Sequence, residues 1–479
     1  MPDLLDQPLV PTIAGAVLLI AELVAIAYVV AYKEHSTSAL AWSFAILLLP
    51  ALGLILLVLF GRDRLPRRLA GKADHTEAFR LRLPDESAAD AAEDVYEGWG
   101  GVSQVARACG ASPMRAGNLV TFLATGEAAF RAVRSAIAEA RHHVHVEEYI
   151  FRNDKLGGEL LALLIEKAKA GVEVRLLVDA IGTTGERGLF RELRRAGGTG
   201  AIFLPLNPFR RVFAPNHRNH RKIIVCDGRV GFLGGMNVGD EYFGLGLGAR
   251  HWSDAHLQLE GPSVHDLQRV FVRDWDFAAG EEIAGEAYFP IAEPRGTAHV
   301  QVVASGPDEL VNSTRQVLFT AINGAERRLV VSSPYLVPDM ALRDAIRNAA
   351  LRGVDVALLT QGRPPENWLT YLCSRFYWED WLRAGVRIFE YQRGILHAKA
   401  MVADSRWATI GSANLDNRSL DLNFEIQGLI EDPETVAVIA AHFDGELADA
   451  REVTLDEYLA RPFAMRVLES VVRLGAPLL

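Results

Sequence analysis

Two long apolar runs near the start of the chain dominate its hydropathy pattern. Residues 11–32 and 39–60 are each 22 residues long, and the polar segment 33–38 separates them. A helix rises about 1.5 Å per residue, so each run reaches about 33 Å, enough for a hydrocarbon core of roughly 30 Å. The pattern predicts an N-terminal two-helix transmembrane hairpin, with Glu22 as the one charge of the first span and a kink at Pro50 in the second.

Positive charge is concentrated after the second apolar run. The segment that follows the run carries five basic residues, Arg62, Arg64, Arg67, Arg68 and Lys72. The positive-inside rule then predicts that the N-terminus and everything after residue 61 lie in the cytoplasm. The cluster is either a topology signal alone or also a surface for anionic lipid headgroups. A cleaved signal peptide fits the first run poorly, because its N-terminal flank is acidic and the run is too long.

The pattern changes twice along the rest of the chain. Residues 1–72 are predicted to form the hairpin with its basic juxtamembrane segment, and residues 73–99 an acidic linker. From about residue 100, apolar strands alternate with amphipathic helices, which predicts an α/β fold with a mainly parallel sheet and helices on its faces. We predict an internal duplication, with domains at 100–296 and 297–479. The repeated strand–helix–strand block covers 143–151, 156–170 and 172–178, and then 328–333, 340–352 and 354–360.

A polar motif recurs in both predicted domains. Each copy has Lys at +2, Asp at +7, Gly at +14 and Asn at +17, counted from a leading His. Gly235 and Ser412 hold the matched position two residues before each Asn. One copy would be a weak signal, whereas two copies 177 residues apart are a specific one. The two sets are His220, Lys222, Asp227, Gly234 and Asn237, and His397, Lys399, Asp404, Gly411 and Asn414.

The first motif predicts a hairpin. Asp227-Gly228 between two apolar runs is typical of a two-residue turn, which would pair Cys226 with Arg229. That register brings two glycines and Asn237 beside the His and the Lys. A cation, an imidazole, an amide and open backbone on one patch suit a phosphate group.

Acidic residues of two kinds accompany the motifs. Asp227 lies roughly 16 Å along an extended strand from Lys222, so we predict that Asp227 and Asp404 belong to the motif but act structurally at the turns. Asp254 and Glu425 occupy matched positions beyond the hairpins, each followed by Glu at +6 and Pro at +8. We expect these two acids to support the site.

Composition narrows the chemistry. The net charge of −10 argues against a general nucleic-acid binder. The three cysteines are scattered, and no set of Cys, His and carboxylate residues has the spacing of metal ligands. We therefore expect no metal, no cofactor and no nucleic-acid partner.

The twin H-x-K-x4-D motifs resemble those of the phospholipase D superfamily. The segments WSFAILLLPALGLILLVLFG, NHRNHRK, GGMNVGDEY, SSPYLVPD, SANLDNRSLDLNFE and RPFAMRVLESVVRLGAPLL resemble bacterial cardiolipin synthases of that superfamily over essentially the whole chain. The least typical position is Ser253, where the family tends to carry Arg. The resemblance implies two pseudo-symmetric phospholipase D-like domains that share one active site. It also implies a multi-pass protein of the bacterial inner membrane that converts two phosphatidylglycerols into cardiolipin and glycerol.

By analogy with the family, His220 is predicted as the nucleophile and His397 as the acid. The two motif lysines and asparagines would stabilise the phosphate oxygens. Asp254 and Glu425 would each orient one imidazole, and Asp254 is predicted as the partner of His220. The alternatives are a phospholipid hydrolase, a transphosphatidylase with another alcohol, a nuclease and a non-enzymatic membrane scaffold. The sequence does not fix the acceptor alcohol or the oligomeric state.

Overall fold

The computed structural model describes residues 9–33, 36–61, 99–183, 188–207, 214–243, 251–309 and 311–478. They form two units, one within residues 1–65 together with 214–216 and one within the remainder, which we call the α/β unit. The basic cluster and nearly all of the predicted acidic linker lie outside the described residues, and both remain predictions.

Three helices form the N-terminal unit: α1 Leu9–Tyr32, α2 Ser36–Leu48 and α3 Pro50–Phe60. Among the described residues, Ala14–Tyr32 of α1 is the one helical stretch long and apolar enough to cross a membrane. The second apolar run is divided at Leu49, whose φ of −133° and ψ of 67° are not helical. Proline disfavours the α conformation in the residue before it, so the predicted kink at Pro50 is a full break between two short helices.

The α/β unit alternates helices with strands. Its helices are α4 Gly100–Ala108, α5 Gly126–Glu139, α6 Lys155–Lys169, α7 Leu189–Arg195, α8 Val264–Ala279, α9 Ser313–Gly324, α10 Met340–Leu351, α11 Trp368–Arg383, α12 Pro433–Ala448, α13 Leu455–Leu459 and α14 Phe463–Val472. Shorter helical turns cover Asp240–Phe243, Arg418–Leu422 and Arg473–Leu478.

The strands of the first half are β1 Arg115–Leu123, β2 His143–Glu148, β3 Glu173–Asp179, β4 Thr199–Phe203, β5 Arg218–Asn219, β6 Ile223–Cys226, β7 Val230–Gly234, β8 Trp252–Ser253 and β9 His256–Glu260. Those of the second half are β10 Ala298–Ser305, β11 Arg328–Ser332, β12 Leu336–Val337, β13 Asp355–Gln361, β14 Arg387–Tyr391, β15 Ile395–Leu396, β16 Ala400–Ala403, β17 Trp407–Gly411, β18 Leu415–Asp416, β19 Asn423–Glu431 and β20 Arg451–Val453.

One sixteen-stranded sheet joins the two halves. Its order is β20-β14-β13-β11-β16-β17-β19-β10-β1-β9-β7-β6-β2-β3-β4, with β5 paired to β19 off this path. The halves meet where β1 and β10 pair antiparallel, with Arg115 opposite Val300. Along this path, the parallel pairs are those of β2-β3-β4 and β11-β13-β14, and off the path β5 also pairs with β19 in parallel. The prediction of a mainly parallel sheet is therefore wrong, because the motif hairpins and the strands after them add antiparallel pairs between the parallel blocks.

The internal repeat extends to helix caps. Asp154 accepts a hydrogen bond from the Gly157 N–H at the start of α6, and Asp339 accepts one from the Leu342 N–H at the start of α10. Such side chains satisfy N–H groups that the first turn of a helix leaves unpaired. The duplicated α/β architecture is thus confirmed, whereas the exact domain boundaries remain predictions.

The first motif hairpin has a longer loop than the sequence suggests. Cys226 pairs with Val230, not with Arg229, so Asp227, Gly228 and Arg229 all belong to the loop. Asp227 and Gly228 have φ of 54° and 63°, a left-handed conformation that short hairpin loops require. The extra loop residue shifts the predicted register by one position.

The motif aspartates fasten these loops to neighbouring strands. Asp227 accepts three hydrogen bonds of 2.7–2.9 Å from the backbone N–H groups of residues 141–143, where β2 begins. Asp404 accepts three of 2.8–2.9 Å from residues 326–328, where β11 begins. Burial raises the pKa of Asp227, but its backbone donors outweigh burial and hold that pKa below the usual range. Both side chains thus join each loop to the sheet.

We expect Asp227→Ala to lower the free energy of unfolding by about 1–3 kcal/mol, because three N–H groups lose their acceptor. Asp404→Ala should behave alike, since its geometry is the same. The stabilisation by Asp227 should also be lost as pH falls through its lowered pKa, because protonation weakens the acceptor. Denaturant unfolding of the detergent-solubilised chain measures both effects, with the exposed Glu159→Ala as control. Full stability with lost activity would instead place Asp227 in the chemistry.

Candidate active site

Each motif histidine is attached through its backbone to the opposite half of the α/β unit. β5, directly before His220, pairs in parallel with the start of β19, and the His220 N–H donates to the Phe424 carbonyl at 2.9 Å. β15, directly before His397, pairs in parallel with β8, and the His397 N–H donates to the Ser253 carbonyl at 2.7 Å. In each of these short parallel pairs, a strand of one half thus pairs with a strand of the other half.

The matched acids follow these anchoring residues and complete the exchange. Oε2 of Glu425 lies 3.0 Å from Nδ1 of His220, and Oδ2 of Asp254 lies 2.7 Å from Nδ1 of His397. The prediction that Asp254 partners His220 is wrong. Each imidazole has its carboxylate from the other half, because the strand that carries the acid runs beside the opposite histidine.

The contacts of Nδ1 define which ring nitrogen is free. His220 Nδ1 also lies 3.1 Å from the Ser412 carbonyl, which can only accept. Nδ1 must therefore carry the proton, and the lone pair lies on Nε2. The carboxylate of Asp254 imposes the same tautomer on His397.

The two lysines are buried and repeat one geometry. Nζ of Lys222 donates to the His220 carbonyl at 2.7 Å, and Nζ of Lys399 donates to the His397 carbonyl. Burial lowers the pKa of Lys222 to about 7 and also lowers the pKa of Lys399, although nearby carboxylates oppose this in both cases. The charge of Lys399 acts on both His220 and Lys222, so the two motifs contribute to one electrostatic environment.

Burial lowers the pKa values of both imidazoles, and neighbouring charges outweigh burial to lower those of both carboxylates. Burial lowers the pKa of His220 to about 4, although Glu425 opposes this, and burial also lowers the pKa of His397. Burial favours neutral carboxyl groups, but Lys399 and His397 hold the pKa of Asp254 below its usual range. His220 and Lys222 do the same for Glu425. At pH 7 the site thus has two neutral imidazoles, each beside an ionised carboxylate.

The small residues after each hairpin make room for these acids. A Cβ added at Gly235 would lie 2.1 Å from Oδ1 of Asp254, so only glycine leaves this carboxylate in place. At the matched position, the Ser412 hydroxyl donates to Oε2 of Glu425. Gly235 and Ser412 thus position the acids that orient the histidines.

The motif asparagines lie in the same region. Nδ2 of Asn237 donates to the Tyr242 hydroxyl at 3.1 Å, and the Asn414 N–H donates to the Ser419 hydroxyl at 3.1 Å. The side-chain oxygens of both asparagines are buried without a hydrogen-bond partner. An amide can be turned to present its NH2 group instead. Either asparagine can therefore offer a donor to a phosphate oxygen.

Aromatic rings border both imidazoles. The ring of Tyr149 lies 4.8 Å from that of His220, and its centroid is 5.3 Å from Nζ of Lys222. Trp252 lies 5.1 Å from the His397 ring, and the Tyr242 hydroxyl lies 3.4 Å from its Nδ1. Neither Trp252 nor Tyr242 is predicted as a site residue from the sequence, although both flank matched motif segments. No period or spacing distinguishes such rings from core residues.

Among the described residues, no group of three or more His, Cys, Asp or Glu side chains could hold a metal ion. The motif aspartates lie in the hairpin loops and bind the backbone where β2 and β11 begin. The remaining predicted site residues converge around the two histidines, with acids and imidazoles exchanged between the halves.

A duplicated α/β unit with paired His-Lys motifs at the junction of its halves is the architecture of phospholipase D-like proteins. Phosphatidylserine synthase from Haemophilus influenzae has this fold, with a TM-score of 0.57 and 17% identity over 79% of this chain and 100% of that one. The family model "Cardiolipin synthase, PLD-like domain" matches residues 133–275 and 318–447. The model "Phospholipase D-nuclease N-terminal" matches residues 22–62.

Curated relatives align along nearly the whole chain. The cardiolipin synthase of Geobacillus kaustophilus is 36% identical over 97% of this chain and 93% of its own length. The major cardiolipin synthase ClsA of Bacillus subtilis is 34% identical over 95% of this chain and 96% of its own length. The chain belongs to the cardiolipin synthase family of the phospholipase D superfamily.

Gly235→Ala tests whether the position of Asp254 matters. The added methyl would displace the carboxylate from His397, and misplacement of a catalytic group by about 1 Å can cost about 10²-fold in rate. We expect turnover to fall by about that factor while the protein stays folded. Gly158→Ala is the matched control, because a Cβ there meets nothing within 4 Å. Full turnover of Gly235→Ala would contradict the positioning role.

Proposed function

We propose that this protein is a membrane-bound phosphatidyl transferase that joins two phosphatidylglycerols into cardiolipin and releases glycerol. The observation that carries the proposal is the pair of neutral imidazoles, each held at Nδ1 by a carboxylate from the opposite half. Such a pair supplies a nucleophile and a proton donor for one phosphodiester. Family membership and the apolar helix α1 support a phospholipid as the substrate.

In the first half-reaction, Nε2 of His220 attacks phosphorus of one phosphatidylglycerol. A P–N bond forms, the bond from phosphorus to the glycerol oxygen breaks, and the imidazolium of His397 gives its proton to that oxygen. Binding of the anionic phosphodiester favours the protonated form of His397, whose positive charge Asp254 also stabilises. The products are free glycerol and a phosphatidyl group on His220.

In the second half-reaction, a hydroxyl of the second phosphatidylglycerol attacks the same phosphorus. Neutral His397 accepts the hydroxyl proton, the P–O bond forms, and the P–N bond to His220 breaks. His220 is then neutral and His397 protonated, as before the first attack, and the atoms of two phosphatidylglycerols appear in cardiolipin and glycerol. Water in place of the lipid hydroxyl would give phosphatidic acid, the product of a hydrolase.

The remaining motif residues stabilise the transition state. Lys222 and Lys399 place positive charge in a buried site, where it interacts more strongly with phosphate oxygens than in water. Asn237 and Asn414 offer amide donors to the same oxygens. Burial lowers the pKa of each lysine, because it disfavours the charged ammonium group. A bound phosphate anion would stabilise both ammonium groups.

We also propose that the chain is a multi-pass protein of the bacterial inner membrane, with the α/β unit facing the cytoplasm. The support is the basic residues after the second apolar run and the apolar character of α1. In this arrangement the connection after α1 faces outward. A Lys33→Cys variant should therefore react with an impermeant thiol reagent added to intact cells, and protection until lysis would contradict the orientation.

The purified chain in phosphatidylglycerol vesicles should form cardiolipin and glycerol in equal amounts, and EDTA should have no effect. Mass spectrometry of the lipids and an enzymatic glycerol assay measure both products, with His220→Ala as the inactive control. Phosphatidic acid as the only lipid product would contradict the transferase and indicate a hydrolase. Digestion of single-stranded DNA in a parallel assay would indicate a nuclease.

A further inference from the structure

The C-terminal helix α14 has its apolar side facing solvent. Phe463, Val467 and Val471 recur every four residues, and Leu474 continues the stripe into the next turn. Their exposed fractions are 74%, 43%, 58% and 74%. A helix on a water-soluble surface normally turns its apolar stripe toward the core. This helix is inverted in its main apolar stripe, because the side that faces the protein carries the buried Glu469, together with the partly buried Val472.

An ion-pair network fixes this inverted orientation. Glu469 is 1% exposed and lies 2.9 Å from Arg375 of α11 and 3.2 Å from Arg461. Removing one partner of a buried ion pair is strongly destabilising, so rotation of α14 to bury its apolar stripe would be costly. The exposed stripe is therefore a property of the folded unit and not of a loosely attached helix.

We propose that the outward face of α14 lies in the interface of the phospholipid bilayer, and we call this face the C-terminal apolar stripe: Phe463, Val467, Val471 and Leu474. Arg466 lies beside the stripe and the exposed Arg473, whose guanidinium lies over the Phe376 ring of α11, follows α14, while the one acid of the helix is paired inside the protein. A helix with apolar residues flanked by cations suits an anionic lipid surface. The occupant is a bilayer because the same chain carries the apolar helix α1.

The C-terminal apolar stripe is connected to the active site through its own chain. After α14, residues 473–478 return to the loop that follows Asn414, where Nδ2 of Asn417 donates to the Ala476 carbonyl at 3.0 Å. Helix α11, on which α14 packs, begins with the exposed Trp368 two residues after Glu366, whose charge acts on Lys399. A helix embedded in the interface would thus hold this side of the site beside lipid headgroups.

Fluorescence of a labelled side chain tests the location without depending on catalysis. Val467→Cys is labelled with an environment-sensitive fluorophore in the full-length protein and reconstituted into phosphatidylcholine vesicles with and without phosphatidylglycerol. Glu434→Cys, exposed on α12, is the matched control. The unsubstituted chain gives the background from its own cysteines, of which Cys226 and Cys373 are buried.

Interfacial helices bury their apolar face roughly 5–10 Å deep, so nitroxides near the top of the acyl chains should quench the Val467 label and shift its emission to shorter wavelength. The Glu434 label should stay accessible to aqueous iodide. Equal iodide access at both positions would overturn the proposal. Protection of the Val467 label in detergent, increasing with protein concentration, would also overturn it and identify a second copy of the chain as the occupant.

A second variant links location to turnover. Val467→Glu with Val471→Glu should lower turnover in vesicles several-fold while turnover in mixed detergent micelles stays unchanged, because micelles deliver lipid without a flat surface. Equal vesicle turnover of the variant and the unsubstituted chain would contradict a role in substrate access. A failure of the proposed transferase is distinguishable, because the unsubstituted chain would then make no cardiolipin in either medium.

Discussion

The exchange of carboxylates between the two halves is the constraint on which the site depends. Each histidine follows a two-residue strand that pairs with the opposite half, and the acid next to that pairing reaches its Nδ1. Neither half alone could keep an imidazole in the tautomer that leaves Nε2 free. A complete site therefore requires both halves of the duplicated unit. The continuous sheet through β1 and β10 joins the two halves.

Burial sets the electrostatic character of this arrangement. Two lysines, two carboxylates and two imidazoles share a region with little water, where charges interact strongly. Lys399 with His397, and His220 with Lys222, hold the pKa values of Asp254 and Glu425 low, while burial lowers the pKa of both imidazoles. Arg221 shows the same principle nearby: its guanidinium is fully buried and pairs with Asp274, with further bonds to the Glu425 and Ser305 carbonyls. It fixes the backbone of Glu425.

The sequence predicts local features of this structure better than its long-range pairing. Twin motif offsets predict both histidines, lysines and asparagines, and chain geometry predicts a structural role for Asp227 at the turn, where its carboxylate accepts from the backbone of residues 141–143. The partner of His220 could not be deduced, because β5 and β15 are two residues long and have no periodic pattern. The predicted register of the first hairpin is wrong by one residue, because an Asp-Gly sequence is compatible with a two-residue turn and also with a three-residue loop that has two left-handed residues.

A phosphatidyl ester of 4-nitrophenol tests the exchanged pairs most directly, because its leaving group needs no acid. Rapid mixing should give a burst of about one equivalent of nitrophenol from the unsubstituted chain, from His397→Ala and from Asp254→Asn. His220→Ala should give none, and Glu425→Gln should be slower by roughly 10³-fold, since an amide favours the wrong tautomer of His220. A burst that survives Glu425→Gln and is lost in folded Asp254→Asn would contradict the exchange.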